Sequence, residues 1–427
     1  MIKKILKNKL VKNSSVYVIA DVINKAIPFI LLPILTYYLS PKDYGALATF
    51  SSLVTVLAIF IGLSVHGIIS VNYYKLNKEQ MAQYIGNIVY ILLSSFFLSV
   101  IIITFSRSFL QEKLSLPFKW MIVAAIAALA SFFVRINLAL WIVEKKPKNY
   151  GIFQIIETIL KFGLSLFFVI ALAMSWKGRI LGIFIGGLIT ALASIYILHK
   201  RGYLNFKLNK HYIIDALKFG VPLVPHQLSI WMRSGAIIFI LVYLVGKNET
   251  GLYNVARQFV IPIAVLNAAF NKAWAPNLYQ RLTNTMKFNE KIKIVKFTYL
   301  YFLVILLIAT ILVFISPILI NLLLEKNFSD SSAYIVYLAY AAAFHGMYLM
   351  VVNYIYYEKK TDKLAYITFS TSFVNLILAY WLINRNGALG AAQSYLITSV
   401  ISFLLVWYYS NKIYKMPWFF KSSKKHS

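Results

Sequence analysis

Cysteine is absent from the 427 residues, which excludes disulfides, thiolate nucleophiles and cysteine metal sites. Acidic residues are scarce, 13 against 43 Lys and Arg, so carboxylate chemistry has few places to sit. A GxxxxGK[ST] loop is missing, and ATP binding within the chain is not expected. HExxH and GxSxG are missing too, removing the zinc-protease and hydrolase patterns. The links between apolar stretches are all short, leaving no room for a soluble domain. Membrane glycosyltransferases and polysaccharide polymerases usually need a large extracytoplasmic loop bearing catalytic groups. Without one, an enzyme is the weak reading.

What remains is overwhelmingly apolar. The chain is 60% hydrophobic and 13% charged, with a mean hydropathy of +0.72, whereas soluble domains carry about 25% charge. Residues 44–74, 80–106, 297–324, 331–357 and 386–411 contain no Asp, Glu, Lys or Arg between their ends. Each exceeds the ~20 residues a spanning helix needs. Continuous apolar runs exclude a β-barrel, whose strands alternate. The expected class is an all-α integral membrane protein. A net charge of +30 would suggest nucleic acid in a soluble protein; here the lysines fall between spans, and no nucleic-acid partner is expected.

Twelve spans are predicted, near residues 15–39, 44–72, 83–106, 119–143, 149–174, 180–199, 213–245, 250–280, 296–320, 331–357, 363–383 and 387–411. The N-terminal MIKKILKNKLVKN resembles a signal-peptide n-region, but the long run behind it holds Asp21, Lys25 and two prolines. It is read as a retained first span. The two ends and the links after even-numbered spans hold 27 of the 43 Lys and Arg, and the other links hold nine. That bias predicts cytoplasmic termini. The organisation expected is a basic cytoplasmic segment 1–14, six-helix bundles over 15–205 and 206–411, and a basic tail 412–427, with tail aromatics at the interface. The link at residues 107–119 is expected to hold a short interfacial turn.

A weak repeat joins the halves. Glu144-Lys145-Lys146-Pro147-Lys148 returns 214 residues later as Glu358-Lys359-Lys360-Thr361-Asp362-Lys363. Lys42-Asp43-Tyr44-Gly45 returns 206 residues later as Asn248-Glu249-Thr250-Gly251. Both pairings map spans one to six onto seven to twelve. Since six is even, the halves share one membrane orientation, as parallel repeats do.

The charges inside spans are the informative ones. The cations are Lys25, Arg135, Lys161, Lys218, Arg233, Arg257 and Lys272; the acids are Asp21, Glu157 and Asp215. Arg233 lies about 13 residues before Gly246, or about 20 Å along a helix, close to mid-bilayer. A charge there costs at least ~2.5–3.5 kcal/mol, so it should face a polar interior. Pro222 and Pro225 break the helix on the approach to it. Asp21 and Lys25, and Glu157 and Lys161, are four apart, the spacing of an ion pair on one helix face. They are either neutral pairs or protonatable carboxylates of a coupling device. Arg135, Arg233, Arg257 and Lys272 have no acid within one turn on their own helices, so an anionic substrate is a candidate partner, with snorkelling and helix linkage as rivals. Arginine suits phosphate because its planar fork makes paired, charge-assisted bonds. Asp215 and Lys218, near a span end, are explained by snorkelling. His226 follows Pro225 and is a candidate proton carrier; His66 and His345 read as packing residues. Asn24, Asn137, Gln154, Gln227, Asn267, Asn271, Asn353 and Asn375 link helices by default.

At this point the chain resembles the polysaccharide-biosynthesis (Wzx-type, O-antigen) flippases of the multidrug/oligosaccharidyl-lipid/polysaccharide exporter superfamily. The resemblance rests on twelve spans in two halves and on Pro28-Phe29-Ile30-Leu31-Leu32-Pro33. It rests also on Leu39-Ser40-Pro41-Lys42-Asp43-Tyr44-Gly45, on Phe219-Gly220-Val221-Pro222-Leu223-Val224-Pro225 and on Thr250-Gly251-Leu252-Tyr253. It implies two six-helix bundles around a central cavity, and movement of an undecaprenyl-pyrophosphate-linked oligosaccharide from the inner to the outer leaflet of a bacterial cytoplasmic membrane. The cationic cavity it implies corresponds to Lys25, Arg135, Arg233, Arg257 and Lys272. His66-Gly67 departs from the charged or aromatic pattern expected near the end of span two. No cofactor or metal is expected; an H⁺ or Na⁺ gradient is, with Asp21, Glu157, Lys161 and His226 as coupling candidates. Membrane lipid, and the polymerase and chain-length proteins of the same pathway, are the expected partners. The alternatives are a multidrug or cation antiporter of the same superfamily, a peptidoglycan-precursor flippase and, from another class, a membrane sugar polymerase or ligase.

Overall fold

Ser40 starts the first long helix. Its hydroxyl accepts from the Asp43 amide at 3.2 Å, the Asp43 carboxylate accepts from the Ser40 amide at 2.9 Å, and Pro41 occupies the first helical position. This reciprocal cap satisfies donors that a helix end otherwise leaves open. The computed structural model describes Ile27, residues 29–283 and residues 287–419; of Thr361 and Asp362 it describes the backbone. Asp21, Asn24, Lys25 and Pro28 therefore lie outside the described residues.

The described α-helices of seven residues or more are α1 (Leu32–Tyr38), α2 (Pro41–Gly62), α3 (Lys78–Phe105), α4 (Arg107–Leu114), α5 (Phe118–Val143), α6 (Pro147–Leu166), α7 (Ser175–Lys200) and α8 (Lys210–Gly220). They continue with α9 (Val224–Thr283), α10 (Phe288–Leu323), α11 (Ser332–Tyr357), α12 (Thr361–Asn386) and α13 (Ala388–Ile413). There is no strand among the described residues, and the protein is an all-α, multi-pass membrane protein. Among the described residues ten stretches are long and apolar enough to cross a bilayer. One of them, Lys210–Thr283, has 74 residues. At 1.5 Å per residue it would run about 110 Å, more than three times the hydrocarbon thickness. Gly246 interrupts it with φ 81° and ψ 178°, a conformation open to glycine, and so divides it into the expected seventh and eighth spans. Most of the other boundaries fall within about five residues of those expected, but the helix of span two ends at Gly62 rather than near residue 72 and that of span nine begins at Phe288 rather than near 296; the first span lies largely outside the described residues. The link at 107–119 holds a full helix, α4, rather than a turn.

The chain divides into two compact units, up to Gly251 and from Leu252. In the first, α2 packs on α5, α5 on α7 and α6 on α7; in the second, α10 packs on α11, α11 on α13 and α12 on α13. The α5–α7 and α6–α7 pairings thus recur as α11–α13 and α12–α13. The turns between those helices recur bond for bond. The Glu144, Lys145 and Lys146 amides donate to the carbonyls of Leu140, Ile142 and Trp141, and the Glu358, Lys359 and Lys360 amides donate to those of Tyr354, Tyr356 and Ile355. Lys145 and Lys359 are both left-handed, with φ of 57° and 56°. The repeat read from the sequence is a repeat of backbone.

The other repeat meets itself. A Cβ on Gly45 would lie 2.0 Å from the Lys247 carbonyl oxygen, and a Cβ on Gly251 would lie 1.7 Å from that of Pro41. Pro41 and Gly45 are the counterparts of Lys247 and Gly251, so two equivalent helix starts cross with each glycine admitting the other's backbone. At the tail, Trp418 turns inward against the protein. It is buried, accepts from the Tyr299 hydroxyl at 2.7 Å and packs edge-on against Trp407 and Tyr354, while Phe419 stays exposed.

Candidate functional site

Arg233 sits half-buried on α9, and the stretch that carries it is bolted to α2. The Ser52 hydroxyl donates to the Gly235 carbonyl at 2.8 Å, and the Trp231 indole donates to the Ser52 carbonyl and hydroxyl, both at 3.2 Å. Gly235 leaves room for the Trp231 ring, which a Cβ would meet at 2.2 Å. Two residues on either side of Arg233 are thereby fixed to one point in the middle of α2, about 20 Å from the α9 break at Gly246. His226 is exposed in the first turn of α9; seven residues from Arg233, it shares that face to within about 20°. The break before it, Val221–Leu223, is a 3₁₀ turn, as the prolines predict.

A second charged group forms where α2 ends. Leu63 and Ser64 both take positive φ, 42° and 55°, a rare and costly pair for non-glycine residues, and turn the chain into a 3₁₀ segment, Val65–Ile68. Against this turn packs the α8 end: a Cβ on Gly220 would lie 2.2 Å from the Leu63 carbonyl oxygen. Phe132 of α5 fills the notch at Gly62, with the His66 ring 5.4 Å away edge-on and the Arg135 guanidinium 5.0 Å over its face. Arg135 is exposed, and its charge acts on His66 and on Glu157 of α6. The His66 Nδ1 is buried with no hydrogen-bond partner. Glu157 and Lys161 form the expected ion pair at 2.5 Å, with both side chains largely covered. The structure therefore brings His66, Arg135, Glu157 and Lys161 into one neighbourhood, where the His66 ring packs against Phe132 as its sequence position suggests.

Lys161 is held by the α6–α7 crossing. Gly178, Gly182 and Gly186 recur every four residues along α7, where Cβ atoms would meet Phe168, Ser165 and Lys161 of the facing chain at 2.9, 2.3 and 2.9 Å. The same helix carries Arg179, which the sequence reading left in a link. It is buried, stacks over Phe162 at 4.1 Å, and its Nη1 has no hydrogen-bond partner.

Other ionic groups are structural. Glu144, at the α5 end, is ion-paired to Arg201 and, at 2.9 Å, to Lys146; Tyr203 donates to it at 2.9 Å and Arg201 also donates to Asn137 at 3.2 Å. Burial and the bond to Glu144 push the Tyr203 phenol up from its ordinary range. Asp215 does not simply snorkel: it accepts from Tyr84 at 2.8 Å and from Asn72 at 3.3 Å, tying α8 to α3. Lys218 is exposed, in keeping with snorkelling.

In the second unit, Arg257 is half-buried and Lys272 exposed. Fifteen residues apart on α9, they lie about 22 Å apart along the helix and about 60° apart around it. The asparagines link helices, as expected by default. Asn267 donates to the Ala342 carbonyl and accepts from Tyr301, both at 2.8 Å; Asn353 donates to Asn271 at 2.8 Å; Thr398 donates to Asn375 at 3.0 Å. Among the described residues no cluster of His, Asp and Glu suits a metal ion.

Known proteins bear on this arrangement. A family model described as polysaccharide biosynthesis protein matches residues 10–281. An uncharacterized membrane protein of Haemophilus influenzae is 27% identical over 384 residues, covering 86% of this chain and 89% of its own. Among solved structures, the lipid II flippase MurJ in an inward closed conformation aligns with a TM-score of 0.74 at 14% identity, over 92% of this chain and 87% of its own. An inward-facing multidrug resistance transporter of the MATE family aligns with a TM-score of 0.71 at 14% identity, over 91% and 94%. At such identity these two structures establish a shared fold.

Proposed function

Because the chain belongs to the polysaccharide biosynthesis protein family, we propose that it is a flippase rather than an enzyme. Its substrate is an oligosaccharide repeat unit linked through pyrophosphate to undecaprenol, carried from the inner to the outer leaflet of the bacterial cytoplasmic membrane, with both termini cytoplasmic. The product feeds O-antigen or another surface polysaccharide, and the polymerase and chain-length proteins of that pathway are its partners.

The observation that carries the reading is the clamped stretch that bears Arg233. Ser52, Trp231 and Gly235 hold the Arg233 stretch in register with α2, and this half-buried cation lies about 20 Å along the helix from the Gly246 break, near the depth where a headgroup crossing the bilayer has lost its water. A pyrophosphate offers it paired, charge-assisted hydrogen bonds. Arg135, Arg257 and Lys272, with Lys25, are the other candidate contacts for the anion. In-span cations outnumber in-span acids seven to three, which supports an anionic substrate over the cationic drugs of an antiporter. An ion gradient drives the cycle, and the covered Glu157–Lys161 pair beside Arg135, together with Asp21 and His226, supplies groups that could exchange a proton.

The test is Arg233→Ala in a strain whose surface polysaccharide depends on this protein. The variant reaches the membrane in normal amount and makes no surface polymer, and Arg233→Lys is intermediate. Normal polymer from the Ala variant removes Arg233 from the mechanism. Accumulated peptidoglycan precursor, in place of the lipid-linked repeat unit, would instead identify the other headgroup.

A further inference from the structure

Three lysines meet where the last span ends. A cavity of about 480 Å³ lies between the start of α10 and the chain leaving α13, with Phe288, Lys291, Tyr408, Asn411, Lys412 and Lys415 among the residues that line it. Side-chain bonds build its wall. The Asn411 amide oxygen accepts from the Met416 backbone at 3.2 Å, and Lys291 Nζ donates to the Lys415 carbonyl at 3.4 Å while lying 5.1 Å over the Tyr414 ring. The chain after α13 is thus tied both to its own helix end and to α10. Lys291 is half-buried in this arrangement, whereas Lys412 and Lys415 are exposed.

Charge in the cavity has one sign. Among the described residues no carboxylate lines it, and none of the three lysines makes an ion pair. Elsewhere lysines have counter-charges: Glu79 lines the same cavity as Lys78, and Lys113, Lys146 and Lys161 are paired to Glu112, Glu144 and Glu157. Beyond Phe419 the sequence adds Lys421, Lys424 and Lys425 and no acid. Like charges around one space repel, and an anion entering it gains from all of them.

Depth narrows the occupant. The three lysines stand just outside the uncharged runs 297–324 and 386–411, at the level where spans meet lipid headgroups. Tyr408 lies one turn, about 6 Å, deeper than Lys412 and is 71% exposed, so the wall beneath the lysines is aromatic and uncovered. An occupant has to be anionic at its outer end and apolar one turn further in. A zwitterionic phospholipid brings its own cation to the lysines; an anionic one does not.

We propose that this cavity is a resident site for an anionic phospholipid, apart from whatever the protein transports. Lys291, Lys412 and Lys415 neutralise the phosphodiester, and the glycerol and first methylenes lie against Tyr408. Basic pockets beside transmembrane helices hold acidic lipid headgroups in this way.

The experiment places the full chain in phosphatidylcholine nanodiscs doped with a photoactivatable phosphatidylglycerol and maps the crosslinks. Labelling is expected around Tyr408 at the α13 end and Phe288 at the α10 start. A surface lysine favours an anionic lipid about fivefold, so Lys412→Gln/Lys415→Gln should cut this labelling roughly 25-fold. No ion pair is lost, so the unfolding midpoint in phosphatidylcholine alone should not change. Lys145→Gln/Lys148→Gln removes the same charge from a turn outside the cavity and should leave the labelling intact. Equal loss in the two variants overturns the site, because the lysines then act as diffuse surface charge. Labelling that survives Lys412→Gln/Lys415→Gln overturns it too. So does displacement by inorganic phosphate as effective as by unlabelled phosphatidylglycerol, which would make the cavity a site for a free anion. Preferential displacement by farnesyl diphosphate would assign it to the carrier lipid instead and equally overturn the proposal.

Discussion

The crossing at Gly45 and Gly251 makes a quantitative prediction. A Cβ at either position would stand 2.0 or 1.7 Å from a backbone carbonyl oxygen, where an ordinary contact begins at 3.4 Å. No side chain can swing aside, so the two helix starts have to separate by more than about 1.4 Å, a strain at the upper end of the ~1–3 kcal/mol typical of overpacking. Alanine recovers about 1 kcal/mol of helix propensity over glycine. Each single substitution should therefore destabilise by about 2 kcal/mol. Because both contacts belong to one crossing, the first substitution opens the space that the second needs. Gly45→Ala/Gly251→Ala should cost well below the sum of the singles, with a coupling of about 1–2 kcal/mol. Gly387→Ala is the control. That glycine has φ 60° and nothing near its missing Cβ, so its cost is backbone strain alone and should add independently. Thermal unfolding of the four proteins in one detergent reads the cycle, at roughly 2–4 °C per kcal/mol. Strictly additive costs, or singles that unfold like the wild type, would refute the reciprocal crossing.

Two further outcomes follow from the ionic groups. Glu144→Gln leaves Arg201 without its buried counter-charge and should destabilise by about 3 kcal/mol, whereas Glu358→Gln at the equivalent turn, which makes no ion pair among the described residues, should change the unfolding midpoint little. Glu157→Gln and Lys161→Met each strand one covered charge, so each should lose stability that the double variant largely restores; if Glu157 also carries the coupling proton, the double variant folds but flips no lipid-linked sugar, and flipping at the wild-type rate would exclude that role.

Much of the architecture was legible because it depends on local pattern. Ser40-Pro41-Lys42-Asp43 is a helix start readable from four residues, and Glu157 and Lys161 meet because four residues bring side chains together on a helix. The EKK repeat was visible as sequence, and its meaning lay in the backbone of Lys145 and Lys359. What stayed hidden depends on distant contacts. Nothing near Ser52 announces a clamp to Trp231, 179 residues on. The break at Leu63 and Ser64 has no proline, only Gly62 and Gly67 flanking it in an apolar run. Arg179 falls one residue outside the expected sixth span, 180–199, yet lies inside α7. The spacing of Gly178, Gly182 and Gly186 was the available signal that the helix already runs there.

The two units share a turn geometry and a set of helix pairings but are held by different chemistry. The first uses charge: Glu144 with Arg201, Glu157 with Lys161, Asp215 with Tyr84. The second uses neutral amides and rings: Asn267, Asn271 and Asn353, and the cluster of Tyr299, Phe302, Phe403, Trp407 and Trp418. This difference bears on how transport is driven. A parallel repeat with equivalent side chains in both halves would offer a proton two equivalent carriers. Here Asp21, Glu157 and Asp215, the three acids within spans, all precede Gly251, and every acid after it lies in a link or at a helix end. A proton carried across on a span carboxylate has to be carried by the first unit. Asp215 is already engaged by Tyr84 and Asn72, which leaves Glu157, beside Arg135 and His66, as the described carboxylate whose partner an incoming anion would compete with.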